Sequence, residues 1–149
     1  MLMRLAYEMK YIHVISEKAS IQMVRYSSEY QNDYKQLYNE CYHKMREELN
    51  IHPYDFIQDD SFFESGMENV YLLIMNNIMI GSVKLHNSEI DDLIVKRDYQ
   101  GLGYGRQILL WALEHIETEP IVLHVAAWNT KAINLYKKTG FEIINTIIF

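Results

Sequence analysis

The sequence predicts an α/β chain, an α+β sandwich of helices packed on a mixed sheet, folded as one domain over residues 1–149. Three observations predict it. Apolar segments of strand character and of helical character follow one another in the order β(β)α…βββαβαβ. A Gly-rich run, Gln100-Gly101-Leu102-Gly103-Tyr104-Gly105, stands between a strand-like segment and an apolar helix. The size and composition, 149 residues that are 49% hydrophobic and 23% charged, are those of one globular domain. A chain of this length buries roughly 68–70% of the surface its unfolded form exposes.

At the start of the chain, Tyr11-Ile12-His13-Val14-Ile15 reads as a strand, so an extra N-terminal strand is expected at 10–16. Glu17 to Ser20 reads as a turn and Ile21 to Tyr26 as a second strand, which together suggest a hairpin. Ser27 or Ser28 is placed to cap a helix. Tyr30, Tyr34, Leu37, Cys41 and Met45 then recur at helical spacing, with Tyr38 and Tyr42 widening the stripe. Pro53 lies beyond the helix as a breaker.

Val70 to Met75 is a continuous apolar strand, and Asn76-Asn77 is a tight-turn pair. Ile78 to His86 returns as the partner strand, with Gly81 a candidate bulge. After Asn87-Ser88 comes a central strand, Glu89 to Val95, then the Gly-rich turn and a helix to about His115. Ile121 to Val125 is a strand, and Lys131 to Lys138 a helix with Gly140 past its end as a C-cap. Phe141 to Phe149 closes the chain as a strand whose apolar character would suit pairing across a dimer, so monomer and homodimer both stay open.

A net charge of −6 argues against a general nucleic-acid binder, which needs a basic face. The single cysteine, Cys41, excludes an internal disulfide and a multi-cysteine metal site, and no metal is expected. The first residues carry Arg4, Glu8 and Lys10 and do not read as a signal peptide. No stretch reaches the ~20 apolar residues of a membrane span, so no membrane role and a cytoplasmic location are expected. Between Glu47 and Glu68 stand seven carboxylates and no Lys or Arg. That segment is either a solvated loop or an acidic rim drawing a cationic amine.

The Gly-rich run carries the chemistry. Glycines let backbone N–H groups approach a ligand, and the unpaired amides of a first helical turn point at it with the positive end of the dipole. The implied ligand is a phosphate or pyrophosphate. The dinucleotide pattern G-x-G-x-x-G fails, because Arg106 stands three residues after Gly103, and no Gly-Lys-Ser/Thr of a P-loop follows. Gln100-x-x-Gly103-x-Gly105 instead resembles the coenzyme A pyrophosphate cradle of the GCN5-related N-acetyltransferases, the GNAT superfamily. Asn129-x-x-Ala132-x-x-x-Tyr136, followed by Gly140-Phe141, is similar to that superfamily's other motif and lies in the right order after it.

The resemblance implies a GNAT fold with a central mixed, mostly antiparallel sheet flanked by helices, and acetyl-CoA (coenzyme A) as the group donor. It implies that Leu93, Ile94 and Val95 run beside the pantetheine arm by strand augmentation. Gln100, Gly101, Leu102, Gly103, Tyr104, Gly105 and Arg106 would hold the pyrophosphate, with Arg97 and Arg106 as phosphate contacts. Asn129 and Ala132 would flank the arm, although Asn129 also suits a helix N-cap. Tyr136 would protonate the leaving thiolate, and Glu89 or Asp91 would act as general base toward a primary amine. The acceptor is a small-molecule amine or a peptide. Non-catalytic coenzyme A sensing on the same fold is the alternative.

Overall fold

The structure, a computed structural model, describes residues 4–148. Strands β1 (Leu5–Tyr11) and β2 (Val24–Arg25) precede α1 (Gln31–Glu48). Then come β3 (Val70–Met75), β4 (Ile78–His86), β5 (Glu89–Val95), α2 (Tyr104–His115), β6 (Val122–Ala126), α3 (Thr130–Lys138) and β7 (Phe141–Ile148). The seven strands form one sheet in the order β2-β3-β4-β5-β6-β1-β7. Every neighbouring pair is antiparallel except β5–β6. This is the mixed, mostly antiparallel sheet flanked by helices that the sequence implies.

Alternation along the strands feeds two cores. Leu73, Ile80, Val83 and Ile90 face α2 and α3, where Ile108, Leu109, Trp111, Ile133 and Tyr136 cover them. Their neighbours Leu72, Met79 and Ile94 face α1, where Tyr34, Leu37 and Tyr38 cover them. Each fully buried aliphatic side chain contributes roughly 1.5–3 kcal/mol. The segment after α1 is not merely solvated, because Ile57 and Met67 are buried in the second core and Phe62 and Phe63 pack against it. Asn76 and Asn77 both take positive φ in the β3–β4 turn, as a two-residue hairpin requires. The β3–β4 register slips beside Gly81, where a Cβ would lie 2.7 Å from the Ile94 carbonyl oxygen and 2.7 Å from Ile108.

The N-terminal expectations need correction. The strand ends at Tyr11 rather than beginning there, and Ile12 and His13 donate their amides to the Gly140 carbonyl at 3.0 and 2.9 Å. Val14, which alternation would have buried, is 81% exposed. No hairpin joins β1 to β2. Strand β1 lies between β6 and β7, with Met9 completely buried, while β2 is two residues long and pairs with β3. The connection between them runs along α2, with Ala19 and Ser20 amides bonded to Glu114 and Gln107 at 2.7 Å each. Ser27 makes no capping bond, and α1 is preceded by a single helical turn, Ser28–Tyr30. Phe149 lies outside the described residues. Strand β7 forms a sheet edge, with Ile143, Ile144, Ile147 and Ile148 exposed.

Among the described residues no helix is long and apolar enough to cross a membrane. No group of three or more potential metal ligands is found among them either.

Candidate active site

The site follows from where β5 and β6 part. Their parallel ladder holds only Glu89 against Val122 and Ile90 against Leu123. Beyond it, a cavity of about 320 Å³ opens between the strands, lined by Asp91 to Val95, Leu123 to Ala126 and the α1 residues Cys41, Tyr42 and Met45. A second cavity, of about 280 Å³, lies toward the Gly-rich turn and takes in Gly101, Gly103, Gly105, Arg106, Lys131 and Ala132. Leu93, Val95, Gln100, Asn129 and Tyr136 line both, so the two adjoin.

The turn is built as the glycines require. Gly101 and Gly103 take φ of +77° and +93°, a left-handed backbone that L side chains rarely adopt. A Cβ on either would meet nothing within 4 Å, so the concavity is lined by bare backbone. Gly103 precedes α2, and its carbonyl accepts the first helical bond from Gln107 N–H at 3.1 Å. The amides of the first turn are left without an intrahelical partner. Gln100 braces the turn from below, its side-chain amide donating to the Val95 carbonyl at 2.9 Å.

Asn129 both caps and lines. Its Oδ1 accepts the Ala132 amide at 3.2 Å, while its Nδ2 has no partner among the described residues and faces open space. Tyr136 is buried, and its hydroxyl likewise has no protein partner among the described residues yet stays accessible in the cavity. Burial, reinforced by Asp91, pushes its phenol up to about 12, which keeps it a proton donor through the neutral range.

The remaining residues singled out from the sequence are dispersed. Asp91 lines the first cavity. Glu89 lines neither; it sits at the first ladder pair, away from the opening, where His124 Nδ1 lies 3.3 Å from it and His124 Nε2 lies 3.3 Å from Glu8. Ile94 lines the first cavity but not the second. Leu102 and Tyr104 line neither; Leu102 is exposed and Tyr104 packs edge-on against Tyr99. Arg106 reaches the second cavity, yet its guanidinium also donates to Glu17 at 2.7 and 3.3 Å. Arg97 is exposed and away from both cavities, and Lys131 is the other cation of the second.

The acidic segment does not reach the site. Asp59 accepts the Ser61 amide at 2.9 Å as a helix cap, and neither it nor Asp60 lines the first cavity. The carboxylates there are Asp91 and Asp92. Asp92 was not among the expected site residues. It occupies a bulge, since Ser82 pairs with Ile94 but Lys84 with Asp91, and its φ is +47°. Tyr42 and Tyr38 hydroxyls donate to its Oδ1 at 3.0 and 3.3 Å. Cys41 donates its thiol to the Val95 carbonyl at 3.3 Å, and burial pushes that thiol up to about 11.

The sequence model of the Acetyltransferase (GNAT) family matches residues 28–141 of the 149. The chain belongs to the GNAT family. Strands β1 and β2, and all of β7 but its first residue, lie outside the matched stretch. Among curated proteins, the chain is similar to spermidine N(1)-acetyltransferase of Vibrio cholerae, 25% identical over 138 residues that cover 90% of this chain and 73% of that one. Among solved structures, a GNAT-family acetyltransferase from Colwellia psychrerythraea superposes with a TM-score of 0.72 at 11% identity, over 97% of this chain and 54% of that one. Arabidopsis thaliana Naa50, in complex with the bisubstrate analogue CoA-Ac-MVNAL, superposes with a TM-score of 0.61 at 24% identity, over 86% and 87%. The first solved structures matched are longer, and this chain spans 50–62% of their length.

GNAT members use acetyl-CoA, and the residues present fit it. The fit rests on the glycine-lined concavity, where an added Cβ would project into free space, and on the cations Arg106 and Lys131 beside it.

Proposed function

We propose that the chain is an acetyl-CoA-dependent N-acetyltransferase that moves an acetyl group directly to a primary amine. One observation carries this reading: the glycine-lined cavity and the cavity holding the free Tyr136 hydroxyl adjoin along Leu93 and Val95. Acetyl-CoA supplies the activated acetyl thioester. In this reading Gly101 to Gly105, with Arg106 and Lys131, hold its phosphates. Leu93 to Val95 and the free Asn129 amide flank the pantetheine arm.

Tyr136 lends its hydroxyl proton to the leaving sulfur. A protonated amine is not a nucleophile, so a carboxylate must take a proton from it. Asp91 is the expected carboxylate that lines the cavity, and Glu89 reaches the site only through His124. The protonated, hydrogen-bonded state of Cys41 favours direct transfer over an acetyl-cysteine.

The Tyr136→Phe variant tests the reading. It keeps the ring packed against Phe141 and removes only the proton donor. Acetyl transfer is expected to drop on the order of 100-fold in kcat, with acetyl-CoA affinity within about twofold of the parent. An unchanged kcat would remove Tyr136 from the chemistry. The spermidine acetyltransferase relative and the peptide-analogue complex of Naa50 mark a small polyamine and a peptide N-terminus as acceptors to screen first.

A further inference from the structure

Asp92 is a carboxylate set in the wall of the transfer cavity on the side facing α1. Both hydrogen bonds it accepts from side chains, those of Tyr42 and Tyr38, fall on Oδ1. Oδ2 accepts no hydrogen bond among the described residues and is not sealed off, and Asp92 lines the cavity. No cation pairs with it among the described residues; Lys84, across the strand from Asp91, acts on it only through space. Asp91 adds a second carboxylate to the same wall, and its Oδ1 accepts the Asp92 amide at 2.9 Å. A half-buried carboxylate is costly unless something pairs with it.

The backbone is strained to produce this arrangement. Asp92 sits at φ +47° in the β5 bulge, a conformation a non-glycine residue keeps only where its surroundings enforce it. Without the bulge, successive residues would face opposite sides of the sheet. With it, Asp91 and Asp92 both line the cavity. The rest of the cavity lining suits the stem of an alkylammonium: Met45 is apolar, and the Tyr42 and Trp128 rings favour a nearby cation.

We infer that Asp92, fixed by Tyr42 and Tyr38, is the acceptor-recognition residue, and that it selects a positively charged primary alkylamine over a neutral amine. The inference rests on the transferase reading above. The incoming ammonium donates an N–H to Oδ2 while the two tyrosine hydroxyls hold Oδ1, so the carboxylate keeps one orientation. Burial, and then Asp91, raise the Asp92 carboxyl above the usual range against the opposing pull of Tyr42, Lys84 and Tyr38. A cation arriving at Oδ2 therefore relieves an existing electrostatic cost.

The test compares acetyl transfer from acetyl-CoA to 1,4-diaminobutane, charged at neutral pH, and to 4-methoxyaniline, which is neutral there. The parent, Asp92→Asn and Tyr42→Phe proteins are measured, with acetyl-CoA affinity determined for each. Asp92→Asn keeps the size of the side chain and is expected to raise KM for diaminobutane on the order of 10- to 100-fold. Acetyl-CoA affinity should stay within about twofold, and the ratio of arylamine to diaminobutane turnover should rise.

Tyr42→Phe frees the carboxylate to turn and is expected to raise the same KM by a smaller factor. It serves as the measure should Asp92→Asn fold poorly. An unchanged diaminobutane KM in both variants overturns the inference, as does a parent protein that prefers the arylamine. A parent that binds acetyl-CoA yet acetylates neither amine also overturns it, and leaves the transferase reading standing. A parent that does not bind acetyl-CoA removes both.

Discussion

Gly140→Ala is expected to lower the melting temperature by about 5–15 °C, corresponding to a loss of about 2–4 kcal/mol. Gly140 follows α3 with a φ of +109°. A Cβ there would stand 2.2 Å from the His13 carbonyl oxygen, 2.9 Å from the Tyr11 ring and 3.1 Å from the His13 carbonyl carbon. Two of these contacts are backbone and cannot swing away. The Gly140 carbonyl also accepts the Ile12 and His13 amides, so this glycine is where the chain leaving β1 meets the end of α3. The variant should therefore loosen β1 from its place between β6 and β7. Thermal unfolding by circular dichroism reads the shift, and a change under about 2 °C would mean that the chain leaving β1 is not packed on Gly140.

Gly103→Val separates the site from the fold. Its Cβ would meet no protein atom within 4 Å, so the main cost to stability is the left-handed backbone, roughly 1–2 kcal/mol for an L residue and more for a β-branched one. Gly103 lines the cavity beside Gly101, Gly105 and Lys131, and the added side chain would stand at its edge. Acetyl-CoA binding is expected to weaken on the order of 100-fold or more, because bare backbone can no longer approach the phosphates. The melting temperature should fall by only a few degrees. Calorimetry alongside thermal unfolding separates these effects. Parent-like binding in the variant would reduce the Gly-rich run to a turn that starts α2.

These two glycines show what the sequence makes legible. Gln100 to Gly105 and Asn129 to Tyr136 act through local geometry: a left-handed turn, a first helical turn, a cap. Short-range pattern is enough to locate them, and both runs line the same cavity. Gly140 reads as a C-cap on the same local grounds, but a Cβ there would meet Tyr11 and His13. That approach depends on β1 lying between β6 and β7, a long-range pairing that no window around Gly140 contains.

The expected strand lies too far along the chain because Ile12, Val14 and Ile15 have the β-branched character of a strand, as Leu5 to Tyr11 have its alternation. Only the pairing partners choose between the two registers. Asp92 does not stand among the expected site residues for a related reason. Strict alternation puts it opposite Glu89 and Asp91, and the extra residue that turns it toward Tyr38 and Tyr42 is a property of the β4–β5 register. The tyrosine stripe of α1 was legible as core, which Tyr34 and Tyr38 are; that Tyr42 also lines the cavity was not.

Calorimetric titration of the purified protein with acetyl-CoA, run beside desulfo-CoA and ATP, bears most directly on the glycine-lined cavity as an acetyl-CoA site. The expected result is micromolar binding of acetyl-CoA, about −8 kcal/mol, approached by desulfo-CoA and not by ATP. Absence of acetyl-CoA binding, or equal binding of ATP, would contradict it and leave the Gly-rich turn as a start for α2 with no ligand of this kind.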